Sequence, residues 1–195
     1  LPYLFVLSGV VFLAKSKLLN KVAVLIVILL TFQAVIFDYR LLTNPGKANL
    51  PVGERSGYLE EWTAGQGIKE VAAYLKLESA KEPDEQIVVG TEGYFGTLPD
   101  GLQMYLNDYP KIIVIGVGID IGETPQSLKE ALKAGNKTYF VVNKSRFKGD
   151  ANLQGFKLIS VFPKPSRRIG SREYVTKGPQ EVLYFYQLED INKSI

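Results

Sequence analysis

Residues 90–100 contain the side chains best suited to holding a small polar ligand. Their sequence, GTEGYFGTLPD, places two carboxylates, Glu92 and Asp100, around two aromatic side chains, Tyr94 and Phe95, in a glycine-rich stretch. Glycine lets the backbone approach a ligand closely, and aromatic rings beside carboxylates can grip a sugar or a lipid headgroup. The alternative is a structural loop with a demanding backbone conformation, which is favoured because neither carboxylate has a visible His or metal partner.

A basic cluster lies nearer the C-terminus. Lys164, Arg167, Arg168 and Arg172 occur within one short stretch. Guanidinium groups bind phosphate oxygens through paired hydrogen bonds, so outside a membrane this cluster can contact lipid phosphates or an anionic polyprenyl-phosphate donor. The alternative is an ordinary solvated loop, which is the commoner role of such a charge run.

A glycine motif after a predicted strand is interpreted as structural. Gly116, Gly118 and Gly122 have the spacing G-x-G-x-x-x-G, which is one residue longer than the dinucleotide-binding fingerprint. The next helix has its own start at Thr124 and Pro125, so the third glycine cannot lie beneath that helix. We interpret the stretch as a loop that leaves the sheet.

Two adjacent carboxylates, Glu60 and Glu61, precede the single tryptophan of the chain, Trp62. Neighbouring side chains diverge in a helix or a strand, so these carboxylates cannot face one substrate bond as a catalytic pair must. We therefore predict that Trp62 anchors the preceding linker against the folded domain.

The 195-residue chain contains no cysteine and no histidine. This composition excludes disulfides, thiolate chemistry, Cys/His zinc sites and Ser-His-Asp or Cys-His catalysis, and we expect no metal and no cofactor. The formal charge of +3 comes from Lys15, Lys17 and Lys21, because the other basic residues balance the 20 acidic ones. The basic excess therefore indicates membrane topology and not a nucleic-acid partner.

Two apolar runs predict a membrane hairpin over residues 1–40. Residues 1–14 are too few for a complete span of about 20 residues, so we expect them to end a helix that starts further upstream. Residues 18–37 are long enough to cross. Short lysine-rich loops remain in the cytoplasm, so the loop at 15–21 is expected to place everything after Asp38 outside the cell.

Beyond the hairpin, the pattern predicts a linker at 41–57, an α/β domain at 58–188 and a tail at 189–195. Apolar residues at helical spacing alternate with β-branched runs. The predicted helices are 67–80, 99–107 and 124–134, and the predicted strands are 86–90, 111–117, 137–143, 156–162 and 181–187.

The order of these elements predicts the type of sheet. Strand–helix–strand repeats are typical of parallel pairing, whereas the last two strands have no predicted helix between them. The nearly continuous run KIIVIGV at 111–117 further predicts a strand buried on both faces. The predicted fold is a membrane α-helical hairpin followed by a small three-layer, Rossmann-like α/β domain, mostly parallel with antiparallel C-terminal strands.

Several stretches of this sequence together resemble a known family. They are EWTAGQGIKEVAAYL, VVGTEGYFGTLPDGLQMYL, IIVIGVG, YFVVNKSRF, LISVFPKP and QEVLYFYQL, which follow the apolar hairpin. The chain resembles the C-terminal portion of bacterial multi-pass GT-C glycosyltransferases, of the glycosyltransferase family 39, dolichyl-phosphate-mannose and ArnT-like superfamily.

The resemblance implies transfer of a sugar from a polyprenyl-phosphate donor to an envelope acceptor by a multi-pass protein of the cell membrane. It implies that the catalytic residues lie upstream, so no catalytic residue is assigned in this chain. The implied partners are membrane lipid, the polyprenyl-phosphate sugar, the acceptor and upstream transmembrane helices of the same protein. The soluble domain is then an extracytoplasmic accessory domain.

Two other functions remain open from the sequence. One is a non-enzymatic, membrane-anchored α/β module that binds a glycan or a membrane-protein partner. The other is a soluble nucleotide-dependent enzyme, which the apolar hairpin and the broken glycine spacing disfavour.

Overall fold

The computed structural model describes Gly9, residues 17–151 and residues 155–189. The first predicted membrane helix lies outside the described residues except for Gly9, as do Lys15 and most of the predicted tail. The chain divides into two compact units, Leu1–Leu50 and Pro51–Ile195.

One long helix, α1 (Lys17–Thr43), dominates the described part of the first unit. Its section Asn20–Thr43 is long and apolar enough to cross a membrane, because 24 residues at about 1.5 Å each exceed a hydrocarbon thickness of about 30 Å. The helix begins inside the predicted basic loop and continues past residue 37, since none of those residues breaks a helix. It ends before a 3₁₀ turn, Pro45–Lys47.

The predicted linker is partly helical. A short helix, α2 (Val52–Arg55), runs directly into a π-helical turn, Ser56–Glu60. Residues 61–64 follow this turn and precede the next helix, which begins at Ile68.

The second unit is an α/β domain built on a five-stranded mixed sheet. Its helices are α3 (Ile68–Lys81), α4 (Asp100–Leu106), α5 (Gln126–Lys133) and α6 (Arg172–Lys177). Its strands are β1 (Ile87–Thr91), β2 (Ile112–Gly116), β3 (Lys137–Asn143), β4 (Phe156–Pro163) and β5 (Val182–Leu188). The α/β class and every predicted helix and strand of the domain are confirmed, with bounds that differ by at most two residues.

The strand order is β2-β1-β3-β5-β4. β1 pairs in parallel with β2 and β3, whereas β5 pairs antiparallel with β3 and β4. The sheet is therefore partly parallel, and the predicted antiparallel C-terminal strands are confirmed.

Apolar side chains cover both faces of the sheet. On one face, α3 and α4 pack through residues such as Leu75 and Leu102 against Val89 and Phe185. On the other face, Leu128 of α5 packs against alternate residues of the same strands. Because side chains alternate across a strand, the three inner strands β1, β3 and β5 contribute to both cores.

Two details differ from the sequence prediction. β2 is an outer strand and Ile113 on it is exposed, so the predicted burial on both faces is wrong. A β-branched run looks the same in a central and an outer strand, and only the pairing order distinguishes them. In addition, the short helix α6 lies between β4 and β5, where Ser171 caps it by accepting a hydrogen bond from the Tyr174 backbone N–H at 3.1 Å.

Four strands, β1 to β4, end at the same edge of the sheet, and β5 begins there. We call this the carboxyl edge. β1 lies between β2 and β3 in the sheet. The connection after β1 leads to β2 on one side, and the connection after β2 crosses back to β3 on the other side. The boundary between β1 and β3 is therefore a topological switch point. In open α/β sheets, ligand sites form outside the carboxyl ends of strands at such a point.

The packing of α3 predicts which of its leucines supports the fold. Leu75 is fully buried, whereas Leu77 on the same helix is 66% exposed. Leu75→Ala should lower the free energy of unfolding by about 2–5 kcal/mol because it leaves a cavity. Leu77→Ala, the matched control, should change it by less than about 0.5 kcal/mol in denaturant titrations of the solubilised chain. Equal losses in both variants would contradict this packing.

Candidate functional site

A cavity of about 100 Å³ opens at the switch point between β1 and β3. Most of its wall is apolar, and it contains one carboxylate and one guanidinium group. The lining residues are Trp62, Glu92, Gly93, Tyr94, Phe95, Leu98, Ile119 and Arg146. We call this site the switch-point cleft.

Glycines shape the loop that forms one wall of the cleft. The backbone N–H of Gly93 donates to the carbonyl oxygen of Gly118 at 2.7 Å. A Cβ atom on Gly116 would lie 2.3 Å from the carbonyl oxygen of Gly93, so only glycine fits there. These glycines bring two loops into backbone contact and leave Tyr94 and Phe95 at the rim, 68% and 82% exposed. The stretch with Gly116, Gly118 and Gly122 leaves the sheet at the end of β2 as a loop, which agrees with the sequence interpretation.

Glu92 is the carboxylate of the cleft and is only 4% exposed. One of its oxygens accepts a hydrogen bond from the backbone N–H of Asn143 at 2.6 Å, and the other accepts from the Asn143 side-chain amide at 2.7 Å. Burial raises the pKa of Glu92, and the two Asn143 hydrogen bonds with the charges of Lys164 and Arg146 offset only part of this rise. A buried carboxyl with a shifted pKa in a cleft is a typical mark of a functional site.

Trp62 and Arg146 form the facing wall. The Arg146 guanidinium carbon lies 4.3 Å from the centre of the Trp62 ring, which is a cation–π arrangement. Arg146 comes from the 3₁₀ turn Lys144–Arg146, directly after β3, and so reaches the cleft from the switch point itself. This pair gives the cleft a flat aromatic surface beside a positive charge.

The position of Trp62 depends on its backbone. Lys164 is buried, and its ammonium group donates to the carbonyl oxygens of residues 61, 62 and 64 at 3.0, 3.2 and 2.8 Å. The Asn143 amide donates to the carbonyl of Trp62 at 3.2 Å, and the Thr97 hydroxyl donates to that of residue 63 at 2.9 Å. Every carbonyl of the 61–64 segment therefore accepts a side-chain hydrogen bond. The segment is held through its backbone, whereas Trp62 itself is 38% exposed and lines the cleft.

Burial lowers the pKa of Lys164 to about 8, although the carboxylates of Glu181, Glu92 and Glu61 oppose this shift. The lysine is nevertheless well placed to stay charged near neutral pH, because three carbonyl oxygens accept from its three N–H groups. Lys164 is thus a structural cation and is not available to a ligand.

Arg167 is buried in an ion cluster behind the 61–64 segment. Its guanidinium donates to Glu61 at 3.0 Å and to Glu181 at 3.2 Å, and also to the backbone carbonyls of Lys177 and Gly178. Burial opposes ionisation of Glu61, but hydrogen bonds from Lys177 and Arg167 outweigh it and hold its pKa below the usual value. The predicted phosphate contact does not fit Arg167, because its side chain is fully buried and paired within the protein.

The remaining predicted site residues lie outside the cleft. Arg168 is exposed on the loop before α6. Asp100 is exposed at the start of α4, where its carboxylate accepts a hydrogen bond from the backbone N–H of Gly96 at 2.8 Å and closes the loop. Of the residues predicted from sequence, the structure brings Glu92, Tyr94 and Phe95 together in the cleft.

Several cleft residues were missed by the sequence reasoning. Asn143 ends β3 and Arg146 follows three residues later, so the rule that sites form at the carboxyl ends of parallel strands would have selected them once the strand order was known. Glu60 pairs with Arg55 whereas Glu61 pairs with Arg167, so the two adjacent carboxylates do diverge.

In the part of the chain that the structure describes, no group of three acidic residues is arranged to bind a metal ion.

No family model, curated protein or solved structure matches this chain.

The ion cluster generates a matched pair of predictions. Arg167→Met should lower the free energy of unfolding by about 3–5 kcal/mol, because it leaves the buried Glu181 carboxylate without its cation and removes one of the two cations paired with Glu61, the other being Lys177. Arg168→Met, one residue further along and exposed, should change it by less than about 0.5 kcal/mol. Denaturant titration of both variants measures the difference, and a large loss in Arg168→Met alone would contradict the assigned roles.

The raised pKa of Glu92 predicts a pH dependence. The folded protein binds this proton more tightly than the unfolded chain does, where the pKa is near 4.5. The contribution to stability is fully present below that value and is lost as pH rises through the raised, folded-state pKa. Wild type should therefore lose stability relative to Glu92→Gln as pH increases from 4.5 toward neutrality.

Unfolding titrations at several pH values measure how the difference in stability between wild type and Glu92→Gln changes with pH. A part of this difference that is the same at every pH reflects the altered hydrogen bonds to Asn143. Glu70→Gln, on the exposed face of α3, is the control and should follow wild type. Parallel curves for wild type and Glu92→Gln would show that Glu92 does not titrate as its burial requires.

Proposed function

We propose that this chain is the C-terminal membrane portion and accessory domain of an integral-membrane glycosyltransferase, and that its switch-point cleft binds a sugar of the donor or acceptor. The observation that carries the proposal is an aromatic-walled cleft with one buried carboxylate and one arginine at the β1/β3 switch point. The resemblance of the sequence motifs to the C-terminal portion of GT-C glycosyltransferases supports the same conclusion.

The chemistry of the cleft suits a sugar ring. The C–H faces of a pyranose pack on aromatic side chains such as Trp62 and Tyr94, while its hydroxyls need a few well-placed polar partners. Glu92 can accept from a hydroxyl, and Arg146 can donate to a hydroxyl or a phosphate oxygen. A space of about 100 Å³ suits one edge of a ring, because pockets that enclose a whole drug-sized ligand measure roughly 300–1,000 Å³.

The cleft is better suited to binding than to catalysis. Glycoside hydrolysis generally uses two carboxylates on either side of the reacting bond, whereas Glu92 is the only carboxylate among the described cleft-lining residues. Both of its oxygens already accept hydrogen bonds from Asn143. In our proposal, the catalytic residues belong to upstream parts of a multi-pass protein.

The proposed topology follows from the apolar segments and the lysines beside them. We take α1 as the second arm of a membrane hairpin, with Lys15, Lys17 and Lys21 on the cytoplasmic side and the α/β domain outside the cell. The domain itself is proposed to be a variant of the Rossmann-like fold with an antiparallel β5.

A non-enzymatic, membrane-anchored glycan-binding module is the second candidate. It is favoured by one observation: all cleft-lining residues lie between Trp62 and Arg146, within a single unit. The two candidates share sugar binding in the cleft. They differ in whether the protein that contains this chain transfers sugar from a polyprenyl-phosphate donor. A transfer assay on membranes from cells that express the uninterrupted gene distinguishes the two candidates.

The single tryptophan provides a direct test of sugar binding. The chain is reconstituted in nanodiscs of neutral phosphatidylcholine, and Trp62 fluorescence is followed during titration with methyl hexosides and with a short-chain prenyl-phosphate hexose. We expect a saturable change in emission for at least one of these probes, because Trp62 lines the cleft.

Variants locate the site. Tyr94→Ala and Phe95→Ala should each weaken binding about tenfold, which corresponds to about 1.4 kcal/mol of lost stacking. Met104→Ala is the control, because Met104 is as exposed as Phe95 but lies outside the cleft. The absence of saturable binding for all probes, or equal affinities in all variants, would refute the proposal.

A further inference from the structure

Arg146 is the cation that lines the switch-point cleft, and its guanidinium group has no acceptor within the part of the chain that the structure describes. Its side chain contacts the Trp62 ring at 4.3 Å and makes neither a hydrogen bond nor an ion pair there. The cations behind the cleft are occupied, because Lys164 donates to three carbonyls and Arg167 pairs with two carboxylates. The N–H groups of Arg146 are therefore left for a ligand of the cleft.

The position of Arg146 is fixed before any ligand arrives. Its backbone carbonyl accepts a hydrogen bond from the Ile121 N–H at 2.8 Å. The backbone N–H of the preceding residue, Ser145, donates to the buried Glu181 carboxylate at 3.0 Å. The Trp62 ring lies against the guanidinium and belongs to the 61–64 segment, whose backbone is itself held. A ligand that pairs with this cation has little side-chain freedom left to remove, which favours binding.

A guanidinium group is selective in the anions that it binds. Its planar fork of N–H donors matches the two oxygens of a carboxylate or a phosphate group, and charge-assisted hydrogen bonds of this kind are about twice as strong as neutral ones. A neutral sugar hydroxyl uses this fork only partly. A cleft built solely for neutral sugars would need no such cation beside Trp62.

The charge of the ligand is limited by Glu92, the other charged group of the described cleft lining. Burial raises the pKa of Glu92, and the charge of Arg146 is close enough to offset part of this rise. One guanidinium beside one carboxyl group can balance a single negative charge, whereas a phosphate monoester carries about −1.5 to −2 at neutral pH. A planar monoanion also suits a space of about 100 Å³ better than a tetrahedral phosphate does.

The remaining hydrogen-bonding capacity of Glu92 suits a sugar hydroxyl. Each of its oxygens accepts one hydrogen bond from Asn143, and a carboxylate oxygen can accept about two. A ring hydroxyl can therefore donate to Glu92 while a carboxylate on the same ring pairs with Arg146. The two charged groups of the cleft then act on different parts of one ligand.

We propose that the sugar bound in the switch-point cleft is acidic, a hexuronic acid or a similar sugar with one carboxylate, and that this carboxylate pairs with Arg146. Arg146 is then the residue that selects acidic sugars over neutral ones. The proposal rests on the sugar binding of the proposed function and specifies the class of sugar.

The direct test compares two sugars that differ in charge and are nearly equal in shape. The whole chain is reconstituted in nanodiscs of neutral phosphatidylcholine and titrated calorimetrically near neutral pH with methyl glucuronide and with its methyl ester. We expect the acid to bind about tenfold more tightly, because it forms charge-assisted hydrogen bonds that the ester cannot form. This preference should shrink with added salt, since the screening length falls from about 10 Å at 0.1 M to about 3 Å at 1 M.

Variants of two basic residues on one turn assign the preference to its source. Arg146→Gln should bind the acid and the ester equally, and Arg146→Lys should keep part of the preference because it retains the charge without the planar fork. The matched control is Lys144→Gln, which removes an exposed charge from the same turn, Lys144–Arg146, outside the cleft lining. It should keep the full preference.

The outcomes separate this proposal from the proposed function. Saturable but equal binding of acid and ester, or a preference that survives in Arg146→Gln, overturns the acidic sugar and leaves sugar binding in place. Tighter binding of glucose 1-phosphate than of methyl glucuronide overturns the assignment to a carboxylate. The absence of binding for every sugar refutes both. If Arg146→Gln misfolds, the wild-type comparison of acid with ester and its salt dependence still decide.

Discussion

The ammonium group of Lys164 beneath the 61–64 segment is the interaction on which the site depends. Burying a charge is costly unless its hydrogen-bonding capacity is used, and here three backbone carbonyls accept from its three N–H groups. The segment has no regular structure of its own between the turn Ser56–Glu60 and α3. Its conformation, and with it the position of Trp62, therefore depends on this cation and on its neighbours Asn143 and Thr97.

The polar groups behind the cleft form a connected network. Asn143 contacts both Glu92 and the backbone of Trp62, and Lys164 contacts that same backbone. Such networks contribute less to net stability than apolar packing, but they select one arrangement because each missing partner leaves a buried polar group unsatisfied. Glu92 is consequently held at the base of the cleft in a defined position, where desolvation changes its affinity for a proton.

The direction of the strands decides where the cleft forms. Because β1 to β4 all end at the same edge, the loops that form the walls of the cleft belong to one surface.

The sequence by itself determined the elements, because helical spacing, β-branched runs and apolar length are local properties of the chain. It indicated the α/β class, an apolar helix, and Glu92, Tyr94 and Phe95 as neighbours within one loop. It could not distinguish Arg167 from Arg168, although one is buried and the other exposed. That difference arises from contacts with Glu61, which is 106 residues away along the chain. Only the tertiary structure decided the strand order, the partners of the buried charges and the contact between Trp62 and Arg146. These features depend on which distant segments of the chain the sheet brings together.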